Sequence, residues 1–425
     1  MRMVMDGFST LVQIPHCSGS AEALFAFLVD FARSRGYEVQ TDAAQNIVAR
    51  KGTPQLCLQA HYDMVCVGKA PTIETYEEAG CLRAREASLG ADNGIAIAMM
   101  MALMEEGVAL EFLFTSDEEI GLVGASALAL EVHAPRMLNL DSETEAEVTI
   151  GCAGGTDVVG TFSSDWVPGQ GATYEVAVRG LPGGHSGVDI DRGIPNAIKV
   201  LFDYLHKKGI GQIASVIAGQ RRNAIPSDAV AIVRSIQPLE GSDTVQVRRL
   251  NETPEVYANG KDLVEWVHRF ADGVRAHNNE LGLPQTSINL ALINDRFEAP
   301  GLTIETSARA MSMEDLETLV ETTRAQMEAY GMTVHVKESY PAWQPERNPF
   351  VEAVAEVVRA EFGDVRIAAI HAGLECGILK AHLPDTAFAS IGPTIRYPHS
   401  TRECVDLASV ERTFRVVREM VKTLA

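Results

Sequence analysis

The 425-residue sequence lacks several features that would assign a protein to a class at once. It has no run of eighteen apolar residues, so no transmembrane helix is expected. The first residues, MRMVMDGFSTLVQIPH, lack the charged start and long apolar stretch of a secretory signal, which favours a cytoplasmic protein. The motif GxSxG is missing, and no thiol has a histidine partner in a recognisable motif, which argues against a serine or cysteine hydrolase.

Cysteine is scarce and scattered. The seven cysteines occupy positions 17, 57, 66, 81, 152, 376 and 404, and no CxxC pair occurs among them. The odd number argues against a complete disulfide framework. We therefore expect small apolar thiols in the core of a protein from a reducing compartment.

Basic residues are fewer than acidic residues. There are 57 acidic and 36 basic residues, a formal net charge of -21, and the isoelectric point is about 5.0. This balance argues against a nucleic-acid or anionic-membrane partner. Hydrophobic residues make up 46% of the chain, an ordinary globular composition, and its length predicts two domains.

The first part of the chain alternates predicted strands and helices. Apolar spacing predicts helices over residues 20–36 and over GADNGIAIAMMMALMEEG. The segments QLCLQAHYDMV, LEFLFTS and RMLNLDSE are typical of buried strands, and polar residues follow each of them. This order predicts an open α/β sheet with a site at the carboxyl ends of its strands.

The pattern changes after GCAGG, at residues 151–155. Strands and helices then follow one another in an order that predicts an inserted α+β domain of one or two small sandwich units. Motifs with candidate catalytic and metal-binding residues occur again near the C-terminus. We therefore predict one catalytic α/β domain with a central mixed sheet, built from residues 1–156 and 339–425, and an inserted α+β sandwich lid over residues 157–338.

Five side chains of metal-binding type lie in separate motifs. These are His61 in HYD, Asp92 in SLGADNG, Glu119 in TSDEEIG, Asp141 in NLDSE and His399 in YPHSTRE. Three carboxylates and two imidazoles suit two divalent cations that share one carboxylate. Glu118 directly precedes Glu119. A carboxylate next to a metal ligand is suitably placed to act as general base for a water that the metal activates.

Taken singly, each motif also fits a structural role. A lone HxD is more often structural, Asp92 fits an ordinary helix N-cap equally well, and paired glutamates fit an acidic helix start. His399 stands between a proline and a serine after a Gly/Pro-rich loop, which is a poor core environment. The joint order of the motifs favours the metal site.

The chain resembles the M20 family of metallopeptidases, and within it the aminoacyl-histidine (Xaa-His) dipeptidases. The matching runs are IPHCSGS, LQAHYDMV, SLGADNG, TSDEEIGLVGA, NLDSE, GCAGG, GGHSG, HAGLECG and IGPTIRYPHSTRE. They extend over nearly the whole chain, and GCAGG with HAGLECG is typical of the dipeptidase branch. The resemblance implies a metallopeptidase that hydrolyses the amide bond of a dipeptide with the help of two metal ions.

The resemblance also implies the roles of the metal ligands. His61 and Asp141 would hold one metal, Glu119 and His399 the other, and Asp92 would bridge the two. Zinc is the expected metal, and manganese and cobalt are the alternatives.

Around these ligands, the resemblance implies that Asp63 orients His61. Glu118 would take a proton from the water that bridges the metals and deliver it to the leaving amine. A cis peptide bond is expected between Asp92 and Asn93.

Four residues match positions that contact the substrate in the family. His185 in GGHSG would stabilise the oxyanion, and Arg309 would bind the substrate carboxylate through its guanidinium fork. Asn223 and Gly373 would make further contacts.

Several alternatives stay open at this point. An amidohydrolase of N-acyl or N-carbamoyl amino acids would share every catalytic residue, and a metal-binding homologue without turnover would keep the fold. The presence of Glu118 argues against the second. For His371 and Glu375 we expect structural roles. Family members often dimerise through the lid, so a monomer and a homodimer are both compatible with the sequence, as is a His185 that acts in its own or a partner chain.

Overall fold

The computed structural model describes residues 1–295, 301–337 and 339–424. The chain forms two compact units. The first comprises Met1–Cys152, Trp343–Ala369 and Leu374–Ala425, and the second comprises Ala153–Ala342 and Ile370–Gly373. The predicted end of the insert, residue 338, lies outside the described residues.

Helices occur in both units. They are α1 (Arg2–Leu11), α2 (Glu22–Ser34), α3 (Ala91–Glu105), α4 (Val123–Ser126), α5 (Ala197–Lys207), α6 (Gly260–Arg269), α7 (Met313–Glu328), α8 (Pro349–Phe362), α9 (Glu375–His382) and α10 (Leu407–Leu424). None of the helices within the described ranges has the length and apolar character needed to cross a lipid bilayer.

The strands of the first part of the chain are β1 (Glu38–Thr41), β2 (Ile47–Arg50), β3 (Cys57–His61), β4 (Thr75–Glu78), β5 (Cys81–Ala84), β6 (Glu111–Thr115), β7 (Arg136–Asn139) and β8 (Glu147–Cys152). Those that follow are β9 (Gly154–Ser163), β10 (Trp166–Pro168), β11 (Ala172–Val178), β12 (Gly184–His185), β13 (Gln212–Ala218), β14 (Ala224–Ile225), β15 (Ala229–Ser235), β16 (Gln246–Leu250), β17 (Glu255–Tyr257), β18 (Gly273–Asn278), β19 (Leu283–Asp295), β20 (Gly301–Ala310) and β21 (Thr333–Val336). The last are β22 (Arg366–Ile370), β23 (Ala387–Ser390), β24 (Ile395–Arg396) and β25 (Cys404–Asp406).

The first unit is built on an eight-stranded sheet in the order β1-β2-β6-β3-β7-β23-β8-β22. Strand β3 runs parallel to β6 and β7, and β7 runs parallel to β23, whereas β1, β2 and β6 pair antiparallel. The predicted fold class, α/β with a central mixed sheet, is thereby confirmed. Helix α3 is buried along nearly its whole length, because its sequence is apolar on every side.

The second unit contains one nine-stranded sheet in the order β16-β11-β15-β13-β19-β20-β9-β21, with β18 paired to β19. Its neighbouring strands run antiparallel. Helices α5, α6 and α7 contribute apolar side chains to its core, among them Leu201, Trp266 and Leu316. A single sheet with helices packed on it is one α+β sandwich, the smaller of the two numbers expected. The pairing of β9 at the start of the unit with β20 near its end makes the sheet continuous.

One cysteine pair departs from the expected set of core thiols. Cys17 and Cys66 form a disulfide, with their Cα atoms 5.5 Å apart. The two loops are joined by backbone hydrogen bonds from Ser18 N to Met64 O and from Met64 N to His16 O, each 3.1 Å, which bring the thiols together. The other five cysteines are buried, as expected for core residues.

Candidate metal centre

The sheet of the first unit brings the candidate ligands to one edge. His61 is the last residue of β3, Glu118 and Glu119 follow β6, and Asp141 follows β7. Because β3 is parallel to both neighbours, all three strands present their carboxyl ends at this edge. Asp92 joins them from the start of α3.

The carboxylate of Asp92 lies between two groups of ligands. Its Oδ1 is 3.3 Å from His61 Nε2, which is also 3.4 Å from Asp141 Oδ1. Its Oδ2 is 3.1 Å from His399 Nε2, which is also 2.7 Å from Glu119 Oε1. Within each group the ligand atoms lie within 4.8 Å of one another. One carboxylate oxygen thus faces each group, which is the arrangement that a shared ligand of two cations requires.

The donor chemistry at this edge fits cations. Glu119 Oε1 is buried and accepts no hydrogen bond of acceptable geometry within the described ranges, although His399 Nε2 lies only 2.7 Å away. Two ligand atoms that converge without a hydrogen bond are suitably placed for a common ion. Carboxylate and imidazole donors suit zinc, manganese and cobalt alike.

The pKa values of the cluster reflect its excess of negative charge. Burial raises the pKa of Asp141 to about 6 and also raises that of Glu119. Burial lowers the pKa of His399, but Asp92 and Glu119 outweigh it and raise that pKa to about 11. Burial likewise opposes ionisation of Asp92, yet its hydrogen bonds with His399 and His61 hold its pKa below the usual value. The carboxylates therefore require positive charge nearby.

Asp63 connects two of the strand ends. Its backbone carbonyl lies 3.0 Å and its Oδ1 3.4 Å from Nδ1 of His61, so the ring proton sits on Nδ1 and Nε2 is left as the ligand atom. Its carboxylate also accepts hydrogen bonds from the backbone N–H groups of Glu118, at 3.0 Å, and Glu119, at 3.4 Å. Asp63 thus fixes both an imidazole and the glutamate pair.

Glu118 lies beside the cluster. One of its carboxylate oxygens lies within 4.8 Å of a ligand atom of His61 and of one of Glu119. Burial, together with the charges of Glu119 and Asp141, raises its pKa well above the usual value. A carboxylate in this environment is a stronger base than one in water.

The loop before α3 has an unusual backbone. The peptide bond between Asp92 and Asn93 is cis, as the resemblance implies, and both residues depart from helical torsion angles. Gly90 has a φ of +69°, and a Cβ added there would lie 2.8 Å from Met64 Sδ, which favours glycine at this position.

Glu375 lies in a buried polar network beside β3 and β6. Its Oε2 accepts hydrogen bonds from Gln59 Nε2 at 2.6 Å and Thr115 Oγ1 at 2.7 Å. Burial raises its pKa to about 7. Its other oxygen, Oε1, is buried and has no hydrogen-bond partner among the described residues, and the structural role expected for Glu375 stays a prediction.

The predicted substrate-contacting residues belong to the second unit. His185 is in β12, and its Nδ1 accepts hydrogen bonds from the N–H groups of Gly187 and Val188, both at 3.1 Å. A neutral ring held in this way carries its proton on Nε2. Asn223 is exposed, and its backbone carbonyl accepts a hydrogen bond from Ser186 N at 2.9 Å.

Arg309 is largely buried in β20. Its Nη1 donates a 2.6 Å hydrogen bond to the Tyr340 hydroxyl, and its Nε has no hydrogen-bond acceptor among the described residues. The Tyr340 ring also packs against Gly373, where an added Cβ would lie 2.8 Å from Cε2. Ser287, which pairs with Arg309 across the two strands, has its Oγ 2.7 Å from His371 Nε2.

Glu403 is the last residue of the matching run IGPTIRYPHSTRE, but no role was predicted for it from the sequence. It is buried and accepts hydrogen bonds from the loop that carries Asp92. Its position in the sequence, four residues after His399, is the only further signal.

Comparison with known proteins agrees with this geometry. Residues 57–423 match the model of the peptidase family M20/M25/M40. The chain is 30% identical to the cytosol non-specific dipeptidase of Escherichia coli K12, over 99% of this chain and 97% of that protein.

Solved structures give the same result. The aminoacylhistidine dipeptidase from Vibrio alginolyticus superposes with a TM-score of 0.81 and 27% identity, over 99% of this chain and 96% of that one. A tripeptidase from Staphylococcus aureus shares the fold, with a TM-score of 0.61 and 16% identity, over 100% and 98% of the two chains. The predicted M20 resemblance is confirmed: the chain belongs to the peptidase family M20/M25/M40.

Proposed function

We propose that the protein is a dipeptidase that depends on two divalent cations. The observation that carries this proposal is the position of Asp92, whose two carboxylate oxygens face two separate ligand groups. The similarity to two named dipeptidases over nearly the full chain supports the substrate class. A preference for Xaa-His peptides is part of the proposal.

The distances between the ligand atoms support the ligand assignment. His61 and Asp141 would hold one cation, Glu119 and His399 the other, and Asp92 both. Zinc is proposed first, with manganese or cobalt as alternatives. Bound at this site, two cations supply Lewis acidity for the scissile carbonyl and lower the pKa of an attacking water.

Glu118 is proposed to move the proton. Its backbone is anchored by Asp63, and its buried carboxyl favours the protonated form, so it accepts a proton readily. It would take one proton from the attacking water and transfer it to the nitrogen of the leaving amine. The same carboxyl therefore serves as base and then as acid.

Two residues of the second unit are proposed to bind the substrate. His185 would donate its Nε2–H to the oxyanion, since Nδ1 is already occupied as an acceptor. Arg309 would bind the substrate carboxylate through its guanidinium, whose Nε–H has no acceptor in the part of the chain that the structure describes. Asn223 and Gly373 are assigned to further contacts by the family resemblance.

Location and assembly are part of the same proposal. The Escherichia coli relative is a cytosolic enzyme by name, which supports a cytoplasmic location. A homodimer formed through the second unit is proposed from the family resemblance, and sedimentation velocity would distinguish it from a monomer.

The test is a substrate panel. Chelator-treated protein is reconstituted with Zn²⁺, Mn²⁺ or Co²⁺ and offered Xaa-His dipeptides, other dipeptides, and N-acetyl and N-carbamoyl amino acids. The proposal predicts release of amino acids from dipeptides, abolished by chelator and restored by metal. Turnover confined to N-acetyl or N-carbamoyl substrates would replace the dipeptidase by an amidohydrolase with the same site.

A further inference from the structure

Glu403 clamps the loop that carries the shared ligand. Its Oε2 accepts hydrogen bonds from Leu89 N at 2.7 Å and Gly90 N at 3.0 Å. Its Oε1 accepts from Ala91 N at 2.8 Å and Asp92 N at 3.3 Å. Four consecutive backbone N–H groups therefore converge on one carboxylate, which is only 3% exposed.

The convergence has a local cause. The positive φ of Gly90 turns the chain just before α3, so the N–H groups of the loop and of the first helical turn point to one side. Such a concave array of N–H groups attracts an anion. In this protein the anion is a side chain from a distant part of the sequence.

Glu403 is also tied to a metal ligand on its own segment. His399 lies four residues earlier, and its Nε2 is 3.1 Å from Asp92 Oδ2. Glu403 donates its backbone N–H to Ser400 O at 3.1 Å, which closes the turn between them. The next residue, Cys404, begins β25, whose pairing with β5 anchors the segment. One short segment thus contacts the Asp92 loop at two points.

We infer that Glu403 is a positioning residue that sets the two Asp92 oxygens for metal binding, an inference that rests on the proposed two-cation site. Four buried N–H groups without an acceptor would be costly, so loss of the carboxylate forces the loop to rearrange. Metal–ligand distances tolerate changes of only about 0.2 Å. A rearranged loop therefore weakens cation binding even where the fold survives.

Glu111 provides a matched control in the same unit. It is fully buried at the start of β6 and accepts hydrogen bonds from the backbone N–H groups of His133 and Ala134 at 2.8–3.1 Å. The glutamates of the candidate metal centre follow the opposite end of that strand. Glu111 thus has the same chemistry as Glu403, a buried carboxylate that holds a loop, at the far end of β6 from the ligands.

The experiment uses Co²⁺ alone, without peptide. Metal-depleted wild type, Glu403→Gln, Glu403→Asp and Glu111→Gln are titrated with Co²⁺ and followed by visible absorption, and thermal unfolding is measured for each. We expect Co²⁺ affinity to fall about 10–100-fold in both Glu403 variants, with an altered absorption spectrum. Glu111→Gln should lose thermal stability and keep the wild-type affinity and spectrum.

The inference is overturned if the Glu403 variants bind Co²⁺ with wild-type affinity and spectrum, or if Glu111→Gln weakens binding equally. If Glu403→Gln does not fold, Glu403→Asp decides by the same criteria, because it keeps the charge and shortens the reach by one methylene. Because the readout is cation binding, a wild type that binds Co²⁺ and cleaves no dipeptide would contradict the proposed function and leave this inference standing.

Discussion

The carboxylate of Asp63 accepts a hydrogen bond from the backbone N–H of Glu118, with Oδ1 and N 3.0 Å apart. The same carboxylate lies beside Nδ1 of His61. One buried side chain thus relates the orientation of a metal ligand to the position of the proposed base. A change at Asp63 should therefore disturb both metal binding and proton transfer.

For Asp63→Asn we expect a loss of about 10–100-fold in kcat or in metal affinity, the size typical of changes in groups that orient metal ligands. Both carboxylate oxygens of Asp63 face N–H groups. An asparagine side chain has only one acceptor oxygen, and its NH2 group would face an N–H donor. Metal content by mass spectrometry and steady-state kinetics measure the two effects. Wild-type values for both would show that Asp63 does not orient the site.

Glu118→Ala should keep two bound cations and lose most turnover, about 10²–10⁴-fold, because the general base is removed while the ligands stay. Glu119→Ala is the matched control, since it removes a proposed ligand from the adjacent position and should lower the metal content instead. Turnover near wild type in Glu118→Ala would contradict its role as the base.

Arg309→Ala should mainly raise KM for dipeptides with a free C-terminal carboxylate. The guanidinium is proposed to bind that carboxylate, so C-terminally amidated dipeptides should show a much smaller change. The comparison is made by steady-state kinetics on matched free and amidated peptides. An equal effect on both would argue against carboxylate recognition by Arg309.

Tyr340→Phe should have a smaller effect of the same kind. Its hydroxyl accepts a hydrogen bond from Arg309 Nη1, and loss of one such bond changes binding by about 2–10-fold. KM should rise by that factor while kcat changes little. A fall in kcat at constant KM would assign Tyr340 a different task.

Acid should destabilise the protein in part through His371. Burial, and the nearby charge of Arg309, lower its pKa to about 3, against about 6.5 in an unfolded chain. Between these values the unfolded state binds the extra proton, so this contribution to stability is present above pH 6.5 and is lost as pH falls toward 3.

The measurement for His371 is urea unfolding from pH 7 to pH 4. His371→Gln should show a weaker loss of unfolding free energy over this range than the wild type. The exposed His277, changed to glutamine, serves as control and should keep the wild-type slope. Parallel slopes in all three proteins would show that His371 does not contribute.

The candidate ligands of the metal centre were predictable from sequence because each lies in a local motif, and three of them lie at or just after the end of a strand. The strand segments around His61 and before Asp141 are rich in apolar residues, and the alternation of strands and helices predicted a site at the carboxyl ends of the strands. The cis peptide bond between Asp92 and Asn93 was predictable only from the family resemblance.

The features that sequence reasoning missed depend on contacts between distant segments. The Cys17–Cys66 bond depends on two loops being joined by backbone hydrogen bonds, and the spacing of the cysteines does not reveal that. Glu403 acts on a loop more than 300 residues away in the chain, with a separation of 311 from Asp92. The single sheet of the second unit depends on the pairing of β9 with β20, which no local pattern encodes.

The most direct test of the account is a crystal of the Zn²⁺-loaded protein measured at the zinc absorption edge. We predict two anomalous peaks about 3.5–4 Å apart, one on each side of the Asp92 carboxylate. His61 and Asp141 should contact one peak, and Glu119 and His399 the other. A single peak, or peaks away from Asp92, would contradict the shared-ligand site on which the proposed dipeptidase rests.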